Sequence, residues 1–353
     1  MFVVSGQWSV VSCSTPITNH QSPITNYQLP MTNHQLPNSK SVVILGAGAW
    51  GAALAKLAAI NGNQVHLWSR SDSQPLEKVL EDKNAQVILS AISMKGVRDV
   101  ASMVQSCPLS PQTIFVTATK GLEPQTTYTP SQIWQAAFPN SPVVVLSGPN
   151  LSQEIAQELP AATVVASKNT NAAQTVQIVF SSSRFRVYTN PDPVGVELGG
   201  TLKNVIAIAA GVCDGLHLGT NAKAALVTRG LTEMVRIGQT LGAKTETFYG
   251  LSGLGDLLAT CNSPLSRNYQ VGYQLANGKT LQGVMANLPG TAEGVNTCRV
   301  LMEIAQQQGI AIPITEQVYQ LLEGEVTPRL ALDKLMLRDI KPEFDNFPTE
   351  QIW

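Results

Sequence analysis

From Ser41 onward the chain alternates short apolar runs with longer amphipathic stretches. Val42-Val43-Ile44-Leu45 contains no polar position, which is the pattern of a parallel strand buried on both faces. Ala49–Asn61 reads as a helix closed by Gly62, and Val65–Trp68 as a second strand. Further strands are expected at Val87–Ile92, Ile114–Thr117, Val143–Leu146 and Thr163–Ala166, with helix-length segments between most of them. Such alternation predicts a doubly wound, parallel α/β sheet over residues 41–192. After about Asp192 the strands stop. Pro193–Gly211, Asn221–Leu241, Arg267–Asn277, Glu293–Gln308, Thr315–Glu323 and Pro328–Arg338 all read as helices. In the second of these, Val227, Leu231, Met234 and Leu241 share one face. An all-α domain is therefore expected at 193–341, with a short C-terminal tail at 342–353.

Residues 1–40 differ in kind. A seven-residue repeat runs through Pro16–Ser22, Pro23–Leu29 and Pro30–Leu36, and its recurring proline forbids a coiled coil. Pro, Asn, Gln and Thr bury too little apolar surface to offset ordering entropy, so the segment is expected to be a disordered tail. Its two histidines do not amount to a metal site. Met31 is a candidate alternative start.

The formal charge is −1, with 23 Lys plus Arg against 24 Asp plus Glu, so there is no basic surplus for nucleic acid. The five cysteines are scattered and form no C-x-x-C pair, which argues against zinc and a secreted disulfide framework and for a reducing cytoplasm. The most apolar stretch, Val205–Cys213, is too short to cross a bilayer, and the first 13 residues lack the basic start of a signal peptide. No stable membrane association is expected.

Gly46-Ala47-Gly48-Ala49-Trp50-Gly51 follows a buried strand and opens a helix. In that context G-x-G-x-x-G is a Rossmann dinucleotide fingerprint, in which the glycines let a pyrophosphate approach helix N–H groups. The acidic residue that usually ends the second strand is missing; Ser69-Arg70-Ser71 stands there, with Asp72 two positions late. A guanidinium suits the 2′-phosphate of NADP(H), so NADP(H) is expected to be preferred and NAD(H) still accepted. Lys120, in Thr117-Ala118-Thr119-Lys120-Gly121, lies at the carboxyl end of a strand, where ligands bind in open sheets; Ser147-Gly148-Pro149-Asn150 repeats that placement. Lys203 is the only charged residue between Leu198 and Cys213, so it must snorkel, pair, or work at a lowered pKa. Gly199 and Gly200, one turn earlier, leave room for a ligand to approach. Asp256 sits in a glycine-rich turn, and Ser266-Arg267-Asn268 starts a helix whose N-terminus and guanidinium suit a phosphate.

Taken in this order, these six motifs resemble the bacterial-type NAD(P)-dependent glycerol-3-phosphate dehydrogenases, from Val42 to about Lys341. The resemblance implies reversible reduction of dihydroxyacetone phosphate to sn-glycerol 3-phosphate. It makes Lys203 the catalytic acid/base and places Lys120 against substrate and nicotinamide. Asp256, Ser266, Arg267 and Asn268 would hold glycerol phosphate, with Gly148 and Asn150 also on the substrate side. Trp50, Arg70, Glu293 and Arg267 would touch the dinucleotide, joined by Gly46, Gly48, Ala49, Gly51 and Ser152. Two departures stand out: only 16 residues separate Arg70 from Val87, where the family carries a longer segment, and Asn150 and Ser152 replace commoner residues. Rival readings are a ketopantoate-type or hydroxyacid reductase, which needs no phosphate site, and a non-catalytic NADPH sensor, which needs no Lys203. A homodimer is left open by the sequence.

Overall fold

The computed structural model describes residues 39–340, except Pro289, together with 342–343. The expected repeat tail and C-terminal tail therefore lie outside the described residues, apart from two at the inner end of each. Of these, Ser39 and Lys40 depart from the expected tail. Ser39 Oγ donates to the Gly62 carbonyl and Lys40 N–H to Asn63 Oδ1, tying them to the turn before the second strand.

Seven strands form one sheet: β1 (Ser41–Leu45), β2 (Gln64–Trp68), β3 (Val87–Ser90), β4 (Ile114–Thr117), β5 (Val143–Ser147), β6 (Ala161–Ala166) and β7 (Phe185–Asn190). The order is β2-β1-β3-β4-β5-β6-β7. All neighbours are parallel except β5 and β6, which run antiparallel. The link from β5 to β6 holds only a five-residue helix, too little for the usual helical crossover, so the chain turns back on itself. β7 was not expected. Phe185 and Val187 are buried while Arg186 and Tyr188 are exposed, the alternation of an edge strand rather than the continuous apolar run of a central one. β3 stops at Ser90, two residues before the expected end.

In the sheet half, helices α1 (Ala49–Ile60), α2 (Leu76–Lys83), α3 (Val97–Gln105), α4 (Pro130–Ala137), α5 (Ser152–Ala156) and α6 (Thr170–Phe180) cover both faces. Leu54 of α1 and Val176 of α6 pack on one face, Leu80 of α2, Val100 of α3 and Trp134 of α4 on the other. The short segment after Arg70 thus supplies α2, whose Leu76, Val79 and Leu80 are fully buried and close the sheet there.

The rest is helical: α7 (Pro193–Gly215), α8 (Gly219–Thr240), α9 (Thr245–Phe248), α10 (Asp256–Cys261), α11 (Arg267–Ala276), α12 (Leu281–Asn287), α13 (Glu293–Gln308), α14 (Pro313–Leu322) and α15 (Pro328–Met336). Among the described residues, α7 alone is long and apolar enough to cross a membrane, contrary to the expectation from Val205–Cys213. Its apolarity has another cause: 89% of its most apolar window is buried inside the protein, where α8, α10, α11 and α13 pack around it.

Register sets up the functional edge. Leu45 is paired with Trp68 and Ser90, Ser90 with Thr117, and Thr117 with Val145. The carboxyl ends of β1 to β4 are therefore level, and β5 runs two residues further, to Ser147. The segments beginning at Gly46, Ser69, Ala91, Ala118 and Gly148 leave the sheet at one edge, the place where ligands bind in folds of this class.

Candidate active site

The glycine turn after β1 has the shape a dinucleotide requires. Gly46 adopts φ +113°, and a Cβ there would lie 2.6 Å from the Ala91 carbonyl oxygen. A Cβ on Gly51 would overlap the Gly46 carbonyl oxygen, so α1 approaches the turn too closely for any side chain. Gly48, by contrast, caps α1 and faces open space within 4 Å, leaving the helix N–H groups accessible. Ala49 and Trp50 open that helix. Two buried polar atoms at and just after the end of β5, Ser147 Oγ and Asn150 Oδ1, have no hydrogen-bond partner among the described residues. The open cap and these orphaned atoms fit a bound nicotinamide dinucleotide. Asn150 Nδ2 donates to Thr163 Oγ1 at 3.0 Å, and Ser152 begins α5 two positions further on.

The chemistry concentrates on one carboxylate. Lys203, buried near the middle of α7, lies with its Nζ 3.1 Å from Asp256 Oδ1 and donates to Thr260 Oγ1 at 2.5 Å. Lys120 Nζ takes the other oxygen, donating to Asp256 Oδ2 at 2.5 Å and to the Gly148 carbonyl at 3.2 Å. Thr260 Oγ1 in turn lies 3.2 Å from Asp256 Oδ1. Of the alternatives open for Lys203, the structure shows pairing rather than snorkelling. Burial pushes its pKa down to about 8; Asp256 opposes the shift and Lys120 adds to it.

Local sequence explains how the three side chains meet. A turn of π-helix over Leu251–Gly255 delivers Asp256 to the start of α10, and Thr260 follows one turn later on the same face. Gly199 and Gly200, expected to leave room for a ligand, face other parts of the chain instead. Their missing side chains are filled from within. A Cβ on Gly199 would lie 2.8 Å from the Ser252 carbonyl oxygen of the π-turn, and one on Gly200 would overlap Ser147 Oγ and sit 3.2 Å from Lys120 Cε. The two glycines thus admit the elements that bring Asp256 and Lys120 to Lys203.

A second group flanks the first. Ser266 caps α11, its hydroxyl accepting from the Tyr269 N–H at 3.2 Å. Asn268 Oδ1 accepts from the Gly294 N–H at 2.9 Å, joining α11 to the start of α13. Gly294 packs on the backbone of Asn204, the residue after Lys203; a Cβ there would lie 2.8 Å from the Asn204 carbonyl oxygen. Glu293 Oε1 accepts from the Met94 N–H at 3.1 Å, which ties the helical half to the segment after β3. Burial raises the Glu293 pKa, while the Met94 bond and the charge of Arg267 oppose it. Arg267 is exposed and packs over Gly290. Arg70, also exposed, reaches Gly96, whose Cβ would be 3.2 Å from Arg70 Nη2.

The expected residues therefore form a run along the level strand ends, from Gly46 and Arg70 through Glu293 to Lys120, Asp256 and Lys203. Two further residues belong to the site without a role expected from sequence, Thr260 and Ser147. The spacing of Asp256 and Thr260, four apart on a helix, was the available signal for the first; nothing in the sequence marked Ser147 as unpartnered.

Comparison with known proteins agrees with this geometry. Residues 41–84 and 75–173 match the model of the NAD-dependent glycerol-3-phosphate dehydrogenase N-terminus, and residues 192–333 that of its C-terminus. A glycerol-3-phosphate dehydrogenase (NAD(P)+) of Trichormus variabilis is 76% identical over 305 residues, covering 86% of this chain and 99% of the relative. The crystal structure of a glycerol-3-phosphate dehydrogenase from Coxiella burnetii is 34% identical, with a TM-score of 0.80 over 85% of this chain and 99% of that one. A ketopantoate reductase from Ralstonia eutropha, 14% identical with a TM-score of 0.50 over 84% of this chain and 99% of its own, shares the fold alone. Nearly the whole length of a close relative is thus matched, and the chain belongs to the NAD-dependent glycerol-3-phosphate dehydrogenase family.

Proposed function

We propose that the chain catalyses reversible, NAD(P)H-dependent reduction of dihydroxyacetone phosphate to sn-glycerol 3-phosphate, a precursor of glycerophospholipids. The observation that carries the reading is the buried Lys203 held between Asp256 and Thr260 at the level strand ends. The family assignment supports it, and so does the name of the Trichormus variabilis relative. When bound, the reduced nicotinamide supplies a hydride to the keto carbon. Lys203, as the ammonium, gives its proton to the oxygen that develops negative charge there; in the reverse direction the free amine takes the hydroxyl proton. Asp256 orients Lys203 and balances one of two neighbouring ammoniums, and Lys120 offers the second cation to the substrate side. Ser266, Arg267 and Asn268 hold the phosphate, and that remote binding energy orients the ketone.

Gly46, Gly48, Ala49, Trp50, Gly51, Arg70, Ser152 and Glu293 are assigned to the cofactor, with NADP(H) preferred and NAD(H) accepted. Two domains, 41–192 and 193–341, are supported by the break between the two family matches. A cytoplasmic location is supported by the four cysteines among the described residues, all free and buried. A homodimer remains for sedimentation velocity to test. Adding dihydroxyacetone phosphate to purified protein and NADPH should oxidise the cofactor and yield glycerol 3-phosphate. Cofactor binding without turnover would leave a sensor, and turnover of ketopantoate instead would leave the rival reductase.

A further inference from the structure

The turn after β2 carries a carboxylate that strand position alone conceals. Gly46 N–H donates to the Trp68 carbonyl at 2.8 Å, so the residues that follow Trp68 lie beside the glycine turn. Asp72, three residues beyond Ser69, folds back onto it. Its Oδ2 accepts from the Ser69 N–H and its Oδ1 from Ser69 Oγ, both at 2.9 Å, while Asp72 N–H donates to the Ser69 carbonyl at 3.0 Å. Ser71 Oγ lies 2.8 Å from Ser69 Oγ. The two Ser69 bonds hold the Asp72 carboxyl below the usual carboxylate range, so it is ionised at neutral pH. Arg70, between the two serines, carries the opposite charge and reaches toward Gly96 in the segment after β3.

By sequence position Asp72 stands two residues too late, and Arg70 alone faces a 2′-phosphate. The structure corrects both points. Asp72 brings a negative charge back to Ser69, and the Ser69 hydroxyl already donates to it. A 2′-phosphate arriving at this strand end meets one cation and one anion, whereas a ribose 2′-hydroxyl meets a carboxylate able to accept from it.

Resting on the dinucleotide reading above, we propose that Asp72 is a specificity-determining residue that holds back the preference for NADPH and keeps NADH usable. Arg70 attracts the 2′-phosphate; Asp72 offsets that attraction and recognises the hydroxyl in its place. Cofactor choice is then set by the Arg70–Asp72 pair rather than by Arg70 alone.

The test is direct titration of the purified, substrate-free protein with NADPH and NADH, supported by 2′,5′-ADP and 5′-AMP, in the unmodified chain and in Asp72→Asn and Asp72→Ala. Removing the charge should raise the NADH-to-NADPH ratio of dissociation constants by about 10-fold in both variants, the equivalent of about 1.4 kcal/mol. The same direction is expected for the two adenosine fragments. An unchanged ratio, or an equal loss of affinity for both dinucleotides, would make Asp72 a cap for its turn and overturn the assignment. Failure of the unmodified protein to bind either dinucleotide would overturn the underlying functional reading along with it.

Discussion

Lys203 illustrates how surroundings set the chemistry open to one residue. Its place in an apolar helix is visible in sequence, but its partners are not, because Lys120 and Asp256 come from segments far away in the chain. Burial lowers its pKa to about 8 even with a carboxylate 3.1 Å away. The sign of the pH dependence follows. Reduction needs the ammonium, so its kcat/KM should be level below about 8 and fall above it; oxidation needs the amine and should rise through the same value. Lys203→Ala should cut turnover about 100-fold or more while NADPH affinity, measured by titration, stays near that of the unmodified chain. Near-normal turnover would assign the lysine to structure. Arg267→Ala should raise the KM for dihydroxyacetone phosphate about 10-fold or more, since a charge-assisted contact is worth about 1.5–3 kcal/mol. An equal loss on unphosphorylated dihydroxyacetone would place Arg267 elsewhere.

At the scale of elements, the parts legible in sequence are those whose local pattern matches their burial. β1 is buried on both faces and α13 has a clear amphipathic period, and both appear where the pattern puts them. β7 escaped because half its side chains face solvent, and the direction of β6 because strand polarity depends on tertiary packing rather than on local sequence. The short π-turn before Asp256 escaped for a similar reason: its Gly253 packs on the backbone of Phe248, and its Ser252 carbonyl packs on Gly199 of α7, contacts that only the fold creates. Capping across elements is likewise hidden. The α14 N-cap residue, Ile312, supplies no side-chain acceptor; instead Glu233 of α8 accepts from the N–H groups of Ile314 and Thr315 at 2.6 and 3.1 Å. Burial pushes the Glu233 pKa up to about 7 against those bonds. Glu233→Ala leaves the α14 N–H groups without that acceptor in a buried setting. It should lower the stability read by urea unfolding by about 1–3 kcal/mol, with the cofactor ratio unchanged. A stability unchanged within about 0.5 kcal/mol would show that α14 does not depend on this cap.

For the molecule as a whole, the site exists only where the two kinds of structure meet. The sheet half contributes the glycine turn, Arg70, Lys120 and Gly148; the helical half contributes Lys203, Asp256, Thr260 and the Ser266–Asn268 helix start. Asp256 bridges them through Lys120, and Glu293 does so through the Met94 N–H. In the proposed reading, this arrangement joins hydride chemistry at the strand ends to a phosphate grip on the helices. It therefore predicts that the phosphate, remote from the reacting carbon, raises catalytic efficiency. The most direct measurement is kcat/KM for NADPH-dependent reduction of dihydroxyacetone phosphate against unphosphorylated dihydroxyacetone by the purified, unmodified protein. A preference of about 100-fold or more for the phosphorylated ketone, the worth of one or two charge-assisted contacts, is the predicted result. Equal efficiency on the two ketones, or no NADPH oxidation with either, would contradict it.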